Sequence, residues 1–322
     1  MRLFRAIQLF LHAQTGSPLN IDSHFRPQSA QAFFSVIHPG NMPFFACFLD
    51  SLFRQSNQDF DLLLFNDGVP NLELAGHIQR HSQRNTLVVD VKGSIASIRK
   101  QGLEYLKQFP AYQNIIFGDS DDFFSENLIE RSIAELKKYD ILIRDLNIVD
   151  EQGKQLIPHF WGGRLNHGFV PDIHFLLDQN IMGLGNVAMR SSCLQNYAID
   201  EDHAVVDWTL FCSMLLKQPH LHICFDSRVQ TNYRQHVDSI TGLTQCNPEK
   251  IEQARQVKIK HYAFLLKQIN IHHPQYAQIQ QRLNLMLSAE HLIQDLDYLA
   301  ALTKGRPFWW EMAKLKTGLL PE

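Results

Sequence analysis

The feature that most constrains this chain is an alternation of short apolar runs with helical segments, in which the apolar runs stop at polar turns. Residues 33–38 are apolar and end in His38-Pro39-Gly40-Asn41. Residues 61–65 end in Asn66-Asp67-Gly68, residues 86–91 form a third run, and residues 114–117 end at Gly118 and the cluster Asp119-Ser120-Asp121-Asp122. Between them, residues 42–55 place Phe45, Leu49, Leu52 and Phe53 at helical spacing, and 72–83 and 95–108 also have a helical pattern. Strands alternating with helices of this length predict βαβ units on a mostly parallel sheet. Ligands of such sheets sit at the carboxyl ends of the strands, where the polar turns fall here.

The second half is more mixed. Ser125 is placed to cap a helix through about residue 138, with Glu126 in its first turn. A strand follows at 141–148, then a turn at Asp150-Glu151-Gln152-Gly153 and a glycine-containing stretch over 155–190. A helix is expected at 204–216, a short strand at 222–225, and helices from 248 onward, broken at His273-Pro274 and Gly305-Arg306-Pro307. The expected organisation is an N-terminal arm and linker at 1–31, a catalytic domain at 32–246 and a helical extension at 247–322.

Composition narrows the function. The chain has 322 residues, 45% of them hydrophobic, which is enough apolar material for one large domain with an annex. A net charge of -3 lacks the basic excess of a nucleic-acid binder. The five cysteines, Cys47, Cys193, Cys212, Cys224 and Cys246, are dispersed and form no CxxC pair, which argues against a disulfide framework and a cysteine zinc site. No apolar run approaches the roughly 20 residues that span a bilayer as a helix. A cytoplasmic protein is expected.

Three carboxylates within four residues, directly after an apolar strand, repel one another unless a cation is present. Asp119 and Asp121 can address one point if the backbone turns there. Hard oxygen ligands of this type suit Mg²⁺ or Mn²⁺, with substrate phosphates completing the shell.

At this point the chain resembles the family 2-type glycosyltransferases of the GT-A fold. Ile115-Ile116-Phe117-Gly118-Asp119-Ser120-Asp121-Asp122 is similar to that family's DxD segment. Upstream, Phe34-Ser35-Val36-Ile37, the Ser51 and Gln55 pair at S-x-x-x-Q spacing, and Asn66-Asp67-Gly68 follow the family's opening, and Arg99 and Gly102 resemble its "aRNxG" helix start. Asn66 stands in place of an aspartate, Val69 in place of a serine, and His38-Pro39-Gly40-Asn41 in place of the usual Thr/Pro-x-Tyr-Asn. The resemblance implies that Asp67 contacts the nucleotide base, Asp119 the ribose side of the donor, and that Asp121, helped by Asp122, holds the metal.

Further matches come later in the chain. Residues 199–210 resemble the family's "FDE…EDWxL" segment, which implies Asp207 as the base that deprotonates an acceptor hydroxyl during inverting transfer, with Glu201 and Asp202 as the competing candidates. Val206 stands where glutamate is usual. The loop with Gly183 and Gly185 is implied to lie near the donor sugar, and glycine permits close backbone approach. Tyr233-Arg234-Gln235-His236 with Ser239 is similar to "YRxHxxSxS", implying His236 at the metal and Arg234 at the diphosphate. Of the 16 histidines only His236 is given a role; His159, His167, His174 and His203 are not.

The expectation is therefore an α/β GT-A fold that transfers a sugar from a nucleotide-diphosphate donor to a glycan or lipid-linked acceptor, with inversion, in bacterial surface polysaccharide synthesis. Pro307-Phe308-Trp309-Trp310 with Lys304, Arg306, Lys314 and Lys316 suggests peripheral membrane contact through 304–322. Two rivals are a nucleotidyltransferase, which normally carries a Gly-rich loop with a basic residue that 38–41 does not supply, and a non-catalytic nucleotide-sugar binder.

Overall fold

The computed structural model describes residues 25–80, 85–203, 205–235, 248–288 and Trp310. The N-terminal arm up to residue 24, His236 and, apart from Trp310, the segment 304–322 lie outside the described residues.

Nine described strands form one sheet: β1 (Gln31–Ile37), β2 (Asp61–Asn66), β3 (Thr86–Asp90), β4 (Asn114–Phe117), β5 (Phe123–Phe124), β6 (Ile141–Val149), β7 (Gln155–Ile157), β8 (Val187–Arg190) and β9 (Ile223–Arg234). The order is β3-β2-β1-β4-β8-β6-β9-β5, with β7 paired to β6. β1 to β4 are mutually parallel. β8 runs against both neighbours and β9 runs with β6, so this is the mostly parallel mixed sheet expected of a GT-A fold. β2 is buried at every residue and β1 at all but one, as for parallel strands covered on both faces.

The helices of the first half are α1 (Met42–Phe53), α2 (Asn71–Gln79), α3 (Ile95–Leu106) and α4 (Leu128–Glu135). α1 buries Phe45, Phe48, Leu49 and Leu52, and these join Phe33, Phe60, Leu62, Leu64 and Phe124 in one apolar core. α3 is capped by Ser94, whose Oγ accepts from Ser97 N at 3.1 Å. It lies close on β1, because a methyl group at Gly102 would come within 2.5 Å of the Phe34 ring.

Two elements differ from the sequence expectation. Ser125 does not cap a helix: its Oγ accepts from Gln230 N and its N–H donates to Gln230 O, both at 3.2 Å, and α4 begins at Leu128. The short strand expected at 222–225 is a twelve-residue strand. Its polar run Asp226-Ser227-Arg228, with Gln230-Thr231-Asn232, conceals an interior strand. Those groups are satisfied by partners: Arg228 forms two bonds to Asp226, at 2.7 and 2.8 Å, and Thr231 accepts from Arg144 at 3.3 Å. The register of β6 on β9 shifts between Arg144 and Asp145.

The described parts of the chain divide into two compact units. One comprises Met1–Val170, Gly183–Gln195 and Leu221–Arg234, and holds the whole sheet; the other comprises Pro171–Met182, Asn196–His220 and Gln235–Glu322. The second unit contains α5 (Ile173–Asp178), α6 (Val206–Lys217), α7 (Pro248–Gln268) and α8 (Tyr276–Leu287). Within it, Trp208 of α6 donates to Leu176 O at 2.7 Å and stacks on His261 at 3.5 Å. Arg282 of α8 grips Asp178 at 3.0 and 2.7 Å. Trp310 is buried and donates to Gln179 Oε1 at 3.2 Å.

The S-x-x-x-Q spacing has a physical purpose. Buried Gln55 donates from Nε2 to Ser51 O at 3.1 Å and to Ser125 O at 2.8 Å, and its Oε1 accepts from Ile129 N at 3.0 Å, one of the donors left over at the start of α4. One amide thus joins the end of α1 to the chain that leaves the acidic cluster. Gln55→Ala strands a buried carbonyl and a buried N–H. It is expected to cost about 1–3 kcal/mol, read as a lower midpoint in urea unfolding at unchanged slope.

Candidate active site

The acidic cluster leaves β4 at the carboxyl edge of the sheet. Gly118 N donates to Phe34 O at 3.2 Å, and a side chain at Gly118 would strike the Phe33 and Phe124 rings. Asp122 N donates back to Asp119 O at 3.2 Å, closing a tight turn. Fully buried Ser120 fastens that turn to β1: its Oγ donates to Val36 O at 2.7 Å and accepts from Asn41 Nδ2 at 2.9 Å. The 38–41 segment is a 3-10 turn in which His38 Nδ1 accepts from Gly40 N at 3.2 Å.

The turn gathers the carboxylates unequally. Asp119 Oδ1 accepts from Arg99 Nη2 at 2.7 Å, so Arg99 and Asp119 meet. Asp122 is 1% exposed; its Oδ1 accepts from Arg234 N at 2.9 Å, while its Oδ2 is buried without a hydrogen-bond partner. A methyl group at Gly185 would lie 2.5 Å from Asp119 Oδ2 and 3.7 Å from Asp122 Oδ2. Asp119 Oδ2 therefore packs directly on the Gly185 backbone with Asp122 Oδ2 close by, an approach that a side chain at 185 would block. Asp121 is half-buried, and its carbonyl accepts from Arg234 Nε at 2.7 Å.

An orphaned buried carboxylate oxygen beside a second carboxylate is a donor set that fits a divalent cation, and two carboxylates with substrate phosphates is a usual way to hold Mg²⁺. Among the described residues no group of three His, Cys, Asp or Glu side chains is gathered for a metal. His236 lies outside them. Without a cation, burial first, and then the charges of Asp121 and Asp119, push the Asp122 carboxyl well above the usual range, against the Arg234 N–H and charge.

Behind the turn lies Arg144, a residue that the sequence reading gave no role. It is fully buried on β6; Nη2 donates to Phe117 O at 2.5 Å and Gly185 O at 3.0 Å, and Nη1 to Val187 O at 2.9 Å. Burial pulls its pKa down to about 9, and the charges of Asp122 and Asp119 push it back up. An arginine in the middle of Ile141-Leu142-Ile143-Arg144-Asp145-Leu146 was the available signal, because arginine is almost never fully buried without partners.

Arg234, expected at the diphosphate, is 3% exposed and uses Nε and Nη1 on the main chain and Nη2 on Cys47 Sγ at 3.7 Å. Besides Asp121 O it reaches Glu151 O at 2.5 Å and Asp150 O at 3.3 Å, with its guanidinium 4.7 Å from the Phe44 ring centre and 5.3 Å from that of Phe123. Gly183 N donates to Asn186 Oδ1 at 2.8 Å, closing the turn that presents Gly185. Asp67 is half-buried at the end of β2, with its N–H on Ile37 O at 2.8 Å, before Gly68 at φ +90°. Asp207 stands in the first turn of α6, in the second unit.

Asn66, where the resemblance leads us to expect an aspartate, is explained by its neighbour. Its Nδ2 donates to Asp90 Oδ1 and Val69 O, both at 2.8 Å, and its Oδ1 accepts from Val69 N at 2.9 Å. A carboxylate at 66 would face the Asp90 carboxylate; the amide turns repulsion into a hydrogen bond.

No family model matches the chain. Over 98 residues it is 29% identical to an uncharacterized glycosyltransferase, EpsJ, of Bacillus subtilis; the match covers 30% of this chain and only 27% of the relative. Among solved structures it resembles S. aureus TarS residues 1–349, with a TM-score of 0.56 at 14% identity, covering 88% of this chain and 80% of that one. A complex of the same protein with UDP-GlcNAc gives a TM-score of 0.56 at 13% identity, covering 83% and 76%. The mannosyltransferase PcManGT of Pyrobaculum calidifontis, in complex with GDP-Man and Mn²⁺, gives 0.52 at 10% identity, covering 87% and 79%. The fold is GT-A.

In this GT-A sheet two substitutions separate site from scaffold. Gly185→Ala must displace the Asp119 carboxylate, and is expected to lower at least tenfold any affinity of the acidic turn for Mn²⁺ and a sugar nucleotide, measured by calorimetry. Gly76→Ala, where nothing lies within 4 Å of the added methyl, leaves binding unchanged. The Asp122 shift fixes a sign as well. A raised carboxyl pKa means that the folded state holds its proton to higher pH than the unfolded chain. That stabilisation is complete below the ordinary aspartate range and is lost as pH rises through the folded value. In EDTA, Asp122→Asn is expected to raise the melting temperature relative to wild type, by an amount that grows with rising pH.

Proposed function

We propose that the protein is an inverting glycosyltransferase that moves a sugar from a nucleotide-diphosphate donor to the hydroxyl of a glycan or lipid-linked acceptor. The observation that carries this reading is the acidic turn at the carboxyl end of β4 in a GT-A sheet, where the unpartnered Asp122 Oδ2 lies beside Asp119 against the Gly185 backbone. Support comes from the solved neighbours, TarS with UDP-GlcNAc and PcManGT with GDP-Man and Mn²⁺, and from the short match to a glycosyltransferase.

On this reading the donor lies along the strand ends. Asp67 receives base N–H groups beyond β2, and Asp119, steadied by Arg99, takes the ribose side. Gly183 and Gly185 let the backbone approach the sugar, and Arg234 fixes the main chain beneath the diphosphate. Asp121, Asp122 and His236 would hold Mn²⁺ or Mg²⁺, which when bound offsets the charge of the leaving diphosphate. Asp207 takes the proton of the acceptor hydroxyl as C1 is attacked from the opposite side. Its place in the first turn of α6 sets it near the positive end of a helix dipole.

The biological setting that fits is bacterial surface polysaccharide or lipid-linked glycan synthesis, with the protein cytoplasmic and peripheral to the inner face of the membrane. None of the described helices is long and apolar enough to cross a membrane. The segment proposed for lipid contact, 304–322, lies outside the described residues apart from Trp310.

A thermal-shift series with UDP-GlcNAc, GDP-mannose and other sugar nucleotides, with and without Mn²⁺, tests the reading. A donor at a hundred times its Kd adds about 2.7 kcal/mol to the folded state by mass action, so at least one is expected to raise the melting temperature in a Mn²⁺-dependent way. Asp207→Asn is expected to keep that shift and lose slow donor hydrolysis. Absence of any shift across the series rejects the donor site. Tight binding with no turnover over a broad acceptor panel marks a non-catalytic binder.

A further inference from the structure

His159 has no role in the sequence pattern, yet the structure sets it apart from the other described histidines. It is the one non-glycine residue among the described residues with φ in the left-handed region, at +44°. Such a backbone costs free energy in a side-chain-bearing residue and persists only where its surroundings enforce it. Here β6 enforces it. His159 N donates to Asn147 Oδ1 at 3.0 Å, and Phe160 N to Leu146 O at 2.7 Å.

The side chain is set as firmly as the backbone. His159 Nδ1 lies 3.1 Å from Oδ2 of Asp145, a carboxylate that is fully buried, while the imidazole itself is 59% exposed. Asp145 Oδ1 meanwhile accepts three main-chain N–H groups, from Leu146 at 2.8 Å, Trp161 at 2.9 Å and Gly162 at 3.0 Å. A methyl group at Gly162 would come within 2.6 Å of Asp145 Oδ2, so glycine keeps the pair together. Oδ1 is thus sufficient to hold the loop, and Oδ2 is left to orient the ring. A carboxylate oxygen can only accept, so Nδ1 donates the proton of this contact, and in that neutral tautomer Nε2 keeps its lone pair.

Counted along the strands, the pair also lies level with the acidic turn. Ile116 of β4, Ala188 of β8 and Leu142 of β6 share one row. Asp119 follows Ile116 by three residues, and Asp145 follows Leu142 by three, on strands that run the same way. Two strand spacings separate them, roughly 10 Å. That distance is suited to an acceptor beside a donor.

We propose that Asp145 and His159 form an acceptor subsite in which His159 Nε2 accepts a hydrogen bond from a hydroxyl of a sugar or polyol. Asp145 is the positioning residue that sets the tautomer. The chemistry selects a hydroxyl because a lone pair needs a hydrogen to receive, which a phosphate does not offer. The proposal rests on the glycosyl-transfer reading, and donor binding is measured separately for that reason.

The test uses the full chain, labelled with ¹³Cε1-histidine and saturated with Mg²⁺ and whichever of UDP-GlcNAc or GDP-mannose binds. It is titrated with methyl glucoside, methyl galactoside, methyl N-acetylglucosaminide and glycerol, with affinities taken by calorimetry. At least one of these is expected to shift the His159 signal saturably. Asp145→Asn keeps the Oδ1 contacts but offers an N–H to Nδ1, moving the ring proton to Nε2. It is expected to weaken that affinity about five- to tenfold, the range of one hydrogen bond. His159→Gly removes the ring at a position whose backbone favours glycine. It should melt at or above the wild-type temperature, keep donor binding and lose the glycoside. A His159 signal unmoved by every probe in the donor complex, or a glycoside affinity unchanged in both variants, overturns the subsite. A wild-type chain that binds none of the sugar nucleotides of the thermal-shift series overturns the glycosyl-transfer reading, and the subsite with it.

Discussion

The structure depends on keeping three carboxylates together at the end of a buried strand. Asp119, Asp121 and Asp122 repel one another, and burial of Asp122 deepens the cost. The turn holds because cationic side chains restrain it from three directions. Arg99 meets Asp119 directly, Arg234 gives its main-chain N–H to Asp122 and its guanidinium to Asp121 O, and Arg144 binds the carbonyls of Phe117 and Gly185 from below. Arg144 donates to neutral carbonyls rather than to a carboxylate. Its charge therefore acts on Asp119 and Asp122 through space without a contact to their oxygens, and Asp122 Oδ2 stays without a hydrogen-bond partner.

The surrounding scaffold follows from this need. Ser120 ties the turn to β1, and Gln55 ties the chain beyond it to α1, so the acidic segment is pinned at both ends by buried polar groups with defined partners. Small residues mark the places of closest approach: Gly102 where α3 meets Phe34, and Gly185 where a backbone meets Asp119. At the end of β2 an amide, Asn66, stands where a second carboxylate would face Asp90. The departure from the family pattern is thus matched by a change in what it touches, and the turn that carries Asp67 is kept.

Much of the first half was legible. β1 to β4 lie within two residues of where apolar runs bounded by turn residues put them, because a parallel strand covered on both faces must be apolar throughout. The helices after β1 to β3 followed from helical spacing for the same reason. β9 was mostly missed, since half of it is polar and its polar groups are buried against partners far away in sequence, such as Arg144 for Thr231. Ser125 looked like a helix cap, but Gln230, 105 residues later, uses it instead.

By itself the sequence determined the alternation of strands and helices, the placing of Asp67 and the acidic cluster at strand ends, and the resemblance that those residues carry. These are local properties, set by hydrophobic period and turn chemistry. Only the tertiary structure decided which carboxylates converge, that Arg144 lies beneath them, that Arg234 is a buried strut, and that Asp145 aims the exposed ring of His159. Each of these is a contact between residues distant along the chain. Whether a buried charge finds its partner depends on sheet order and register, which no local pattern of residues encodes.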